Sequence, residues 1–417
     1  MTEVRLALFT DTYAPEVNGV AKTLERWTAY LRGRGIACQV FAPSRPRGEY
    51  PGLENAERLA SLPFILYPQT RFALPNLPEA ERRLLAFRPT AIHVATPFGI
   101  GLTGRQLALR HGIPLVASHH THFVRYLPFY NLRWLGKLLW RYLHWFHRPC
   151  LRVFVPSESV LEECVRDGWK GLAVWSRGVD ASLFYPEVDR ESLKAELGME
   201  RSRFNVLYAG RMAPEKQTEI ALEAVRLLRS ERGIDAALAM AGDGPSAGHL
   251  RAIASKHQLP VRMLGMLTQP ELRRFMAASD ALLFPSPTET FGNVVLEAMA
   301  CGLPVAAAAG GAVPDTVRHG EDGWLCPPGD ATGFAEALAK LHADRSLRER
   351  LAEAGLRKAS ARSWESVFEG LLEEIRQVCA QDPATSQMIK SNNRCGDELP
   401  ASVRERAFFS ELARKTL

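Results

Sequence analysis

The sequence predicts an α/β protein that contains two doubly wound parallel sheets. Short apolar runs rich in β-branched residues alternate with longer helical stretches, which is typical of βαβ units. The alternation stops at a loop that contains Pro186, passes through a charged helix at 190–197, and then starts again. A chain of 417 residues is also too long for one hydrophobic core. These observations indicate two domains of similar architecture.

Each repeat predicts six strands. In the first repeat, strands are expected at residues 4–10, 37–42, 91–95, 115–118, 152–155 and 173–175, with helices at 20–31, 102–109 and 157–165. In the second repeat, strands are expected at 205–209, 236–241, 261–264, 281–284, 304–308 and 324–325. Ligands of such sheets bind outside the carboxyl ends of the strands, so the loops there are the candidate site.

The pattern divides the chain into four parts. We expect an N-terminal domain at 1–180 and a second domain at 181–362, with a hinge near 177–190. An amphipathic helix at 363–380 is expected to pack back towards the first domain, and residues 381–417 form a peripheral tail without an assigned role.

Composition limits the class of protein. The net charge of +6 is too small to indicate nucleic-acid binding, although it suits an anionic ligand or an anionic lipid surface. Seven cysteines without a C-x-x-C pair favour reduced thiols over disulfides or a zinc site. The sequence shows no signal peptide and no apolar run of spanning length. We therefore expect a cytoplasmic protein.

The segment 288–297 holds two carboxylates, one in a turn and one inside an apolar helix. Glu289 precedes the turn at Gly292 and Asn293, and Glu297 is the only charge of the following helix. A lone carboxylate on an apolar helix is costly to bury without partners. The first turn of that helix offers free N–H groups that suit a phosphate. The segment therefore suits a nucleotide-sugar, with the alternative that Glu297 caps a neighbouring loop.

A second pair of charges follows the strand at 205–209. Arg211 and Lys216 lie in a loop that opens a helix, where both could reach one anion. The fork of an arginine and the point charge of a lysine suit a diphosphate. The alternative is that both are solvated surface cations.

The first domain contributes two further loops. Asn18 and Gly19 open a helix after the first strand, and the glycine would let a phosphate or sugar approach the helix closely. His119, His120 and His122 end another strand, with His120 and His122 on one face. Contact with a sugar or phosphate, a metal site and simple packing all remain open for these histidines.

A glycine-rich loop at 242–247 fits the dinucleotide fingerprint G-x-G-x-x-A. That fingerprint also needs an acidic residue about 20 positions later. The next strand region, 261–265, has no carboxylate. The dehydrogenase interpretation is therefore weak, and it leaves the two glutamates unexplained.

Together these loops resemble the retaining GT-B glycosyltransferases of family 4, over residues 4 to 375. The most specific match is the E-x7-E element from Glu289 to Glu297, supported by the segments 210–216, 242–245 and 309–315. The resemblance implies a GT-B fold, in which two Rossmann-like domains face a cleft. It also implies hexose transfer from a nucleotide diphosphate sugar with retention of configuration.

The resemblance assigns roles to individual residues. Arg211 and Lys216 would neutralise the donor diphosphate, and Glu297 would bind the ribose hydroxyls. The donor sugar and phosphate would be held by Glu289 and the backbone at Phe291, Gly292, Asn293 and Val294. Gly19 would approach the phosphate from the opposite domain, His120 would line the reaction centre, and Asn18 and His122 would lie on the acceptor side.

The segments 18–20, 120–122 and 175–180 are most similar to lipid-linked mannosyltransferases and sulfoquinovosyl-diacylglycerol synthases. The resemblance therefore implies a mannose- or glucose-type donor, GDP- or UDP-linked, and a lipid acceptor. The sequence has no D-x-D motif, so we expect transfer without a metal or other cofactor. Open alternatives are transfer to a polysaccharide or small metabolite, a nucleotide-sugar epimerase, and a non-catalytic nucleotide-sugar-binding subunit.

The stretch from Phe129 to Arg148 reads as one basic amphipathic helix with three tryptophans. Its apolar residues fall at helical spacing, and its basic residues fall on another face. Such a helix predicts peripheral binding to an anionic membrane, on the inner face of the cell membrane. The alternative is a core-packed helix with a solvated cationic face.

Overall fold

The structure is a computed structural model that describes residues 3–16, 18–44, 56–59, 61–64, 67–73, 77–120, 124 and 127–380. Two parallel sheets, each flanked by helices, form its two halves. This confirms the predicted fold class. The predicted tail at 381–417 lies outside the described residues.

The first sheet has seven strands in the order β3-β2-β1-β6-β7-β8-β9, and a separate antiparallel pair is formed by β4 and β5. The bounds are β1 Arg5–Phe9, β2 Ala37–Pro43, β3 Ala56–Leu59, β4 Ser61–Phe64, β5 Tyr67–Ala73, β6 Ala91–Val94, β7 Leu115–Ser118, β8 Arg152–Val155 and β9 Leu172–Val174. The sequence patterns did not predict β3, β4 or β5.

The second sheet has six strands in the order β12-β11-β10-β13-β14-β15. They are β10 Phe204–Ala209, β11 Ala236–Ala241, β12 Val261–Gly265, β13 Ala281–Phe284, β14 Val305–Ala308 and β15 Trp324–Cys326. The central strands β10, β13 and β14 are buried along their whole length. Helices cover both faces of a parallel sheet, which explains why these strands are continuously apolar.

Helices connect the strands in both halves. In the first half they are α1 Gly19–Gly33, α2 Leu77–Phe87, α3 Gly99–His111, α4 Gly136–His147 and α5 Glu158–Arg166. In the second half they are α6 Arg190–Glu196, α7 Thr218–Ser230, α8 Ala247–Lys256, α9 Gln269–Ala278, α10 Asn293–Ala300, α11 Val313–Thr316, α12 Ala331–Ala343, α13 Arg345–Ser360 and α14 Trp364–Ala380.

The chain crosses between the halves twice, and the two crossings touch. Val179 forms a parallel bridge with Ser363. A Cβ atom on Gly178 would lie 2.5 Å from the backbone nitrogen of Trp364, so only glycine fits there. After the second crossing, α14 joins the core of the first half, where Phe368 packs on Trp27. The terminal helix thus fastens the second half to the first.

The stretch from Phe129 to Arg148 is not one helix. Two short 3₁₀ segments, Leu127–Tyr130 and Arg133–Leu135, precede α4. The apolar side of α4 is already covered, because Leu139, Leu143 and Phe146 lie in the core of the first half. The structure therefore favours the core-packed alternative for the apolar stripe. No helix in the described part of the chain is long and apolar enough to span a bilayer.

Candidate active site

The candidate site lies in the cleft, where loops at the carboxyl ends of both sheets meet. The hydroxyl of Thr290 donates a hydrogen bond of 3.0 Å to the carbonyl of His120 across the cleft. On one flank, Asp315 accepts hydrogen bonds from the backbone N–H and the hydroxyl of Ser159, at 3.0 and 2.8 Å. The first contact joins the loops after β7 and β13, and the second joins the starts of the helices after β8 and β14.

Two helices from opposite halves begin at the same point of the cleft. A Cβ atom on Gly19, the first residue of α1, would lie 3.9 Å from Nδ2 of Asn293, the first residue of α10. Gly292 precedes α10 with φ +85°, a conformation that favours glycine. Free N–H groups and the positive ends of two helix dipoles therefore converge there. Such a point suits a phosphate group.

Sequence signals explain why α1 starts there. The side chain of Asn18 accepts a hydrogen bond of 2.9 Å from the backbone N–H of Ala21, as an N-cap residue does. Its amide donates to the hydroxyl of Thr12 at 2.8 Å. Asn18 therefore has a structural role at the helix start, besides its expected position near the acceptor.

The predicted cations lie on the second-half side, each beside a carboxylate. Nζ of Lys216 is 2.6 Å from Glu289 Oε1, and Nη1 of Arg211 is 3.6 Å from Glu215 Oε1. The side chains of Lys216 and Glu289 are 17% and 16% exposed, so the pair is largely desolvated. The structure thus pairs Lys216 with Glu289. From the sequence we expected Lys216 at the diphosphate of the donor and Glu289 at its sugar and phosphate.

The glycine-rich loops pack backbone against backbone. A Cβ atom on Gly242 would lie 2.0 Å from the carbonyl oxygen of Gly210, and one on Gly311 would lie 2.2 Å from that of Glu289. The carbonyl of Glu289 also accepts a hydrogen bond of 2.8 Å from the N–H of Ala312. The glycines at 242 and 244, which match the dinucleotide fingerprint, therefore allow this loop to pack closely against the backbone of the loop that carries Arg211.

Glu297 lies one turn inside α10, partly buried. Burial raises the pKa of its carboxyl from 4.5 to about 7, and the positive charges of Arg26 and Lys22 on α1 lower it in part. No hydrogen bond joins Glu297 to a loop in the part of the chain that the structure describes, so the capping alternative has no support. The side-chain oxygen of Asn293 is also buried without a partner among those residues. Both acceptors suit hydroxyl or N–H groups of a ligand.

Phe291 and Val294 contribute little to the cleft through their side chains. Phe291 is 5% exposed and lies in the same hydrophobic core as the residues of β13. Val294 packs against this core. The expectation for both residues concerned mainly their backbone, which the start of α10 brings into the cleft.

His120 lies two residues after the end of β7 and is buried. Its Nδ1 atom lies 2.8 Å from Nη2 of Arg177, while its Nε2 atom has no partner among the described residues. Burial and the charge of Arg177 hold the pKa of the imidazole well below 6.5, so His120 is neutral. The neighbouring His119 instead packs edge-on against Trp169. The sequence analysis did not single out Arg177 as a site residue.

His122 lies outside the described residues, so its predicted place remains a prediction. Within the described ranges, no group of three or more histidine, cysteine or acidic side chains has the arrangement of a metal site. Sequence reasoning also missed Lys22 and Arg26, which share one face of α1 at a spacing of four residues. The spacing of four residues was the available signal, but only the fold shows that both side chains act on Glu297.

Two family models match the chain. Residues 17–183 match glycosyltransferase family 4, and residues 189–358 match the glycosyl transferases of group 1. The two matches meet near the first crossing between the halves.

Three relatives cover most of the chain. A GDP-mannose-dependent α-mannosyltransferase of Mycolicibacterium smegmatis is 30% identical over 90% of this chain and 98% of its own length. The sulfoquinovosyl transferase SQD2 of Arabidopsis thaliana is 29% identical over 86% and 71%. An α-monoglucosyldiacylglycerol synthase of Streptococcus pneumoniae is 28% identical over 73% and 71%.

Among solved structures, Anabaena Alr3699/HepE in complex with UDP-glucose has a TM-score of 0.70. It is 21% identical in sequence, and the match covers 89% of this chain and 99% of HepE. At that identity the likeness shows the fold alone, which is the two-domain arrangement described above. The relatives and the two family models show that the chain belongs to the group 1 and family 4 glycosyltransferases of GT-B fold. These enzymes transfer a hexose from a nucleotide sugar.

Proposed function

We propose that this glycosyltransferase moves a mannose- or glucose-type hexose from a GDP- or UDP-linked donor to a lipid acceptor, with retention of configuration. The observation that carries the proposal is the meeting of two helix N-termini at Gly19 and Asn293, beside Lys216 and Arg211. A diphosphate needs this combination of free N–H groups and cations.

The same groups serve the chemical step. Cleavage of the bond between sugar and phosphate leaves negative charge on the departing diphosphate. Lys216 and Arg211 are fixed close to where that charge forms, and preorganised cations stabilise it without rearrangement. Glu289 holds Lys216 in place at 2.6 Å and can accept hydroxyls of the donor sugar. We propose that these residues act without a metal ion.

The acceptor then attacks from the first-half side of the cleft. His120 is neutral and hydrogen-bonded through Nδ1, so it offers no basic nitrogen there. Retention without a covalent intermediate requires attack on the face that the diphosphate leaves, and the departing diphosphate itself can take up the acceptor proton. The departing diphosphate is therefore the base, because no carboxylate is among the groups of the described residues that shift the pKa of His120.

Two features support a lipid acceptor at a membrane surface. One relative is named as a diacylglycerol glycolipid synthase. The surface around α4 keeps Arg133, Lys137, Arg141 and Arg148 exposed, and the adjacent Trp134 is 60% exposed. We propose that this cationic edge holds the protein peripherally at the inner face of the cell membrane. Because the apolar stripe is in the core, attraction to anionic lipid is the main contribution.

The test is a matrix of donors and acceptors. GDP-mannose, UDP-glucose and their free diphosphates are compared for thermal stabilisation, since a ligand that binds only the folded state raises the melting temperature. The stabilising donor is then incubated with diacylglycerol in anionic vesicles, with a soluble sugar, or alone. A glycolipid whose anomeric configuration matches the donor is expected.

Other products identify the alternatives. A glycosylated soluble sugar would indicate a small-molecule or polysaccharide acceptor, and a free epimer without acceptor would indicate an epimerase. Donor binding with no product under any condition would leave a non-catalytic binding subunit.

A further inference from the structure

Arg177 is a buried cation whose role the transfer reaction has not yet explained. Its side chain is 5% exposed, and no carboxylate pairs with it in the described part of the chain. It donates to the carbonyls of Trp175 and Ser176 at 3.1 and 3.3 Å, and its guanidinium lies over the ring of Trp175. Burying a charge without a carboxylate partner costs free energy of folding. The contact between Arg177 and His120 therefore calls for a functional explanation.

That contact fixes the imidazole of His120. A guanidinium has donors only, so Nδ1 of His120 must accept and cannot carry a proton. A neutral imidazole with Nδ1 unprotonated carries its proton on Nε2. We infer that Arg177 is a positioning residue, which holds His120 as a neutral Nε2–H donor to an oxygen of the bound substrate.

The surroundings of His120 agree with this role. Trp175 packs edge-on against the imidazole, with ring centroids 4.9 Å apart, so the ring cannot turn freely. The carbonyl of His120 is held by Thr290 from the other half. The Nε2 atom is buried with no partner among the described residues, which leaves one polar atom for a ligand. The inference deepens the proposed function and rests on it only for the identity of that ligand.

Three charged or titratable groups influence the imidazole, one on β6, one after β9 and one in its own loop. These are Arg177 after β9, His93 on β6 and the adjacent His119, and each opposes protonation of His120. His93 has its own pKa lowered to about 3 by burial, so it stays neutral under ordinary conditions. Arg177 is a guanidinium and stays protonated, so we expect its removal to change the titration of His120.

The first test is spectroscopic and needs no substrate. Protein labelled with ¹⁵N-histidine is compared as wild type, Arg177→Met and Arg177→Lys, with His120→Gln used to assign the resonance. We expect a single Nε2–H tautomer without titration in the wild type. In Arg177→Met the signal should become a tautomer mixture, and the pKa of His120 should be higher than in the wild type, because the charge of Arg177 no longer opposes protonation. Arg177→Lys keeps one donor and should restore most of the wild-type spectrum.

The second test is kinetic. Arg177→Met should lower kcat by about 10- to 100-fold, as expected for a misplaced contact at the reacting centre, with a smaller effect on KM. An acid limb should appear in its pH profile, because the freed imidazole can now be protonated. The matched control is Arg105→Met. Arg105 is also buried in the first half, stacks on Trp145 and donates to a backbone carbonyl, but does not contact His120.

The outcomes separate the possibilities. An unchanged tautomer in Arg177→Met, or an acid limb of equal size in Arg105→Met, would overturn the positioning role. If the tautomer changes in Arg177→Met but the wild type transfers no hexose, the proposed function is wrong, while Arg177 still sets the state of His120.

Discussion

The two faces of the cleft differ in the kind of group they present. The second-half face carries fixed charges, with Lys216 beside Glu289, Arg211 beside Glu215, and a partly buried Glu297. On the first-half face the groups nearest the reacting centre are the start of α1 and a neutral imidazole held by a buried arginine, whereas the cations of α1, Lys22 and Arg26, act on Glu297. Charge that forms on a leaving diphosphate needs fixed counter-charges, whereas a face that admits an acceptor does better with neutral donors. This difference makes separate predictions for the two sides.

The largest effect is expected on the charged face. Lys216→Ala or Arg211→Ala should lower turnover by about 100-fold or more, the usual scale for losing one preorganised charge stabiliser. The measurement is kcat with the donor that stabilises the protein most. Lys358→Ala is the matched control, because Lys358 and Asp322 form an ion pair of the same length, 2.6 Å, with similar exposure of the lysine. Near-normal turnover in both cleft variants would remove the diphosphate assignment.

The next effect concerns the stability cost of Glu297. Its pKa is raised from 4.5 in the unfolded chain to about 7 in the fold. Between these values the folded protein keeps a proton that the unfolded chain has lost, so the free energy of unfolding falls as the pH rises to 7 and stays lower above it. Glu297→Gln avoids this loss. It should be more stable than wild type by about 3 kcal/mol at pH 8 and about equal at pH 4.

Urea unfolding at the two pH values checks this prediction, with the exposed Glu353→Gln as control. The same Glu297→Gln variant should bind the nucleoside diphosphate more weakly at pH 8, because a carboxylate is the stronger hydroxyl acceptor. Equal stability of the two proteins at both pH values would mean that Glu297 is solvated rather than desolvated in the cleft.

The sequence predicted the charged face better than the neutral one. Strands buried on both sides read as apolar runs, so both sheets could be predicted from local pattern. Glu289 and Glu297 lie eight residues apart on one turn and helix, which local spacing can indicate. The contact between Arg177 and His120 joins positions 57 apart, and no local pattern carries it.

Local signals also misled in two places. The stretch from Phe129 to Arg148 has helical spacing, but Asn131 adopts φ +58° and breaks the run before α4. Strands β3 to β5 were missed because they lack a continuous apolar run: β3 contains Glu57, and β4 and β5 each contain a proline. In the first place one backbone position ends a helix that the spacing predicts. In the second, strand pairing at the edge of the first sheet and in the β4–β5 pair forms strands that the composition does not predict.

A smaller effect is expected from closing the helix start on the neutral face. Gly19→Ala would place a methyl group 3.9 Å from Nδ2 of Asn293, an ordinary contact for the protein itself. The methyl would occupy space that we assign to the diphosphate, so KM for the donor should rise by about 10-fold. Gly33→Ala, at the other end of α1 with open space around it, is the control. Equal kinetics of the two variants would place the diphosphate away from α1.

The membrane prediction concerns the outer surface of the first half. The Arg133/Lys137/Arg141 triple glutamate variant should lose co-sedimentation with anionic liposomes at low salt, since each basic residue near such a surface adds about 1 kcal/mol. Salt should weaken binding of the wild type. A triple glutamate variant of Arg345, Arg350 and Arg357 on α13 changes the net charge equally and should still bind. Failure of the wild type to bind would remove the main structural support for a lipid acceptor.

The smallest effect is expected from a chelator. If Lys216, Arg211 and the two helix N-termini stabilise the leaving diphosphate, turnover should be unchanged within about twofold after treatment with EDTA. The comparison is made with excess Mg²⁺ or Mn²⁺ added back, and with the Lys216→Ala variant in parallel. A metal requirement in the wild type would contradict the proposal that fixed cations suffice. Rescue of Lys216→Ala by a divalent cation alone would support it, because the ion would then replace a charge that the protein normally supplies.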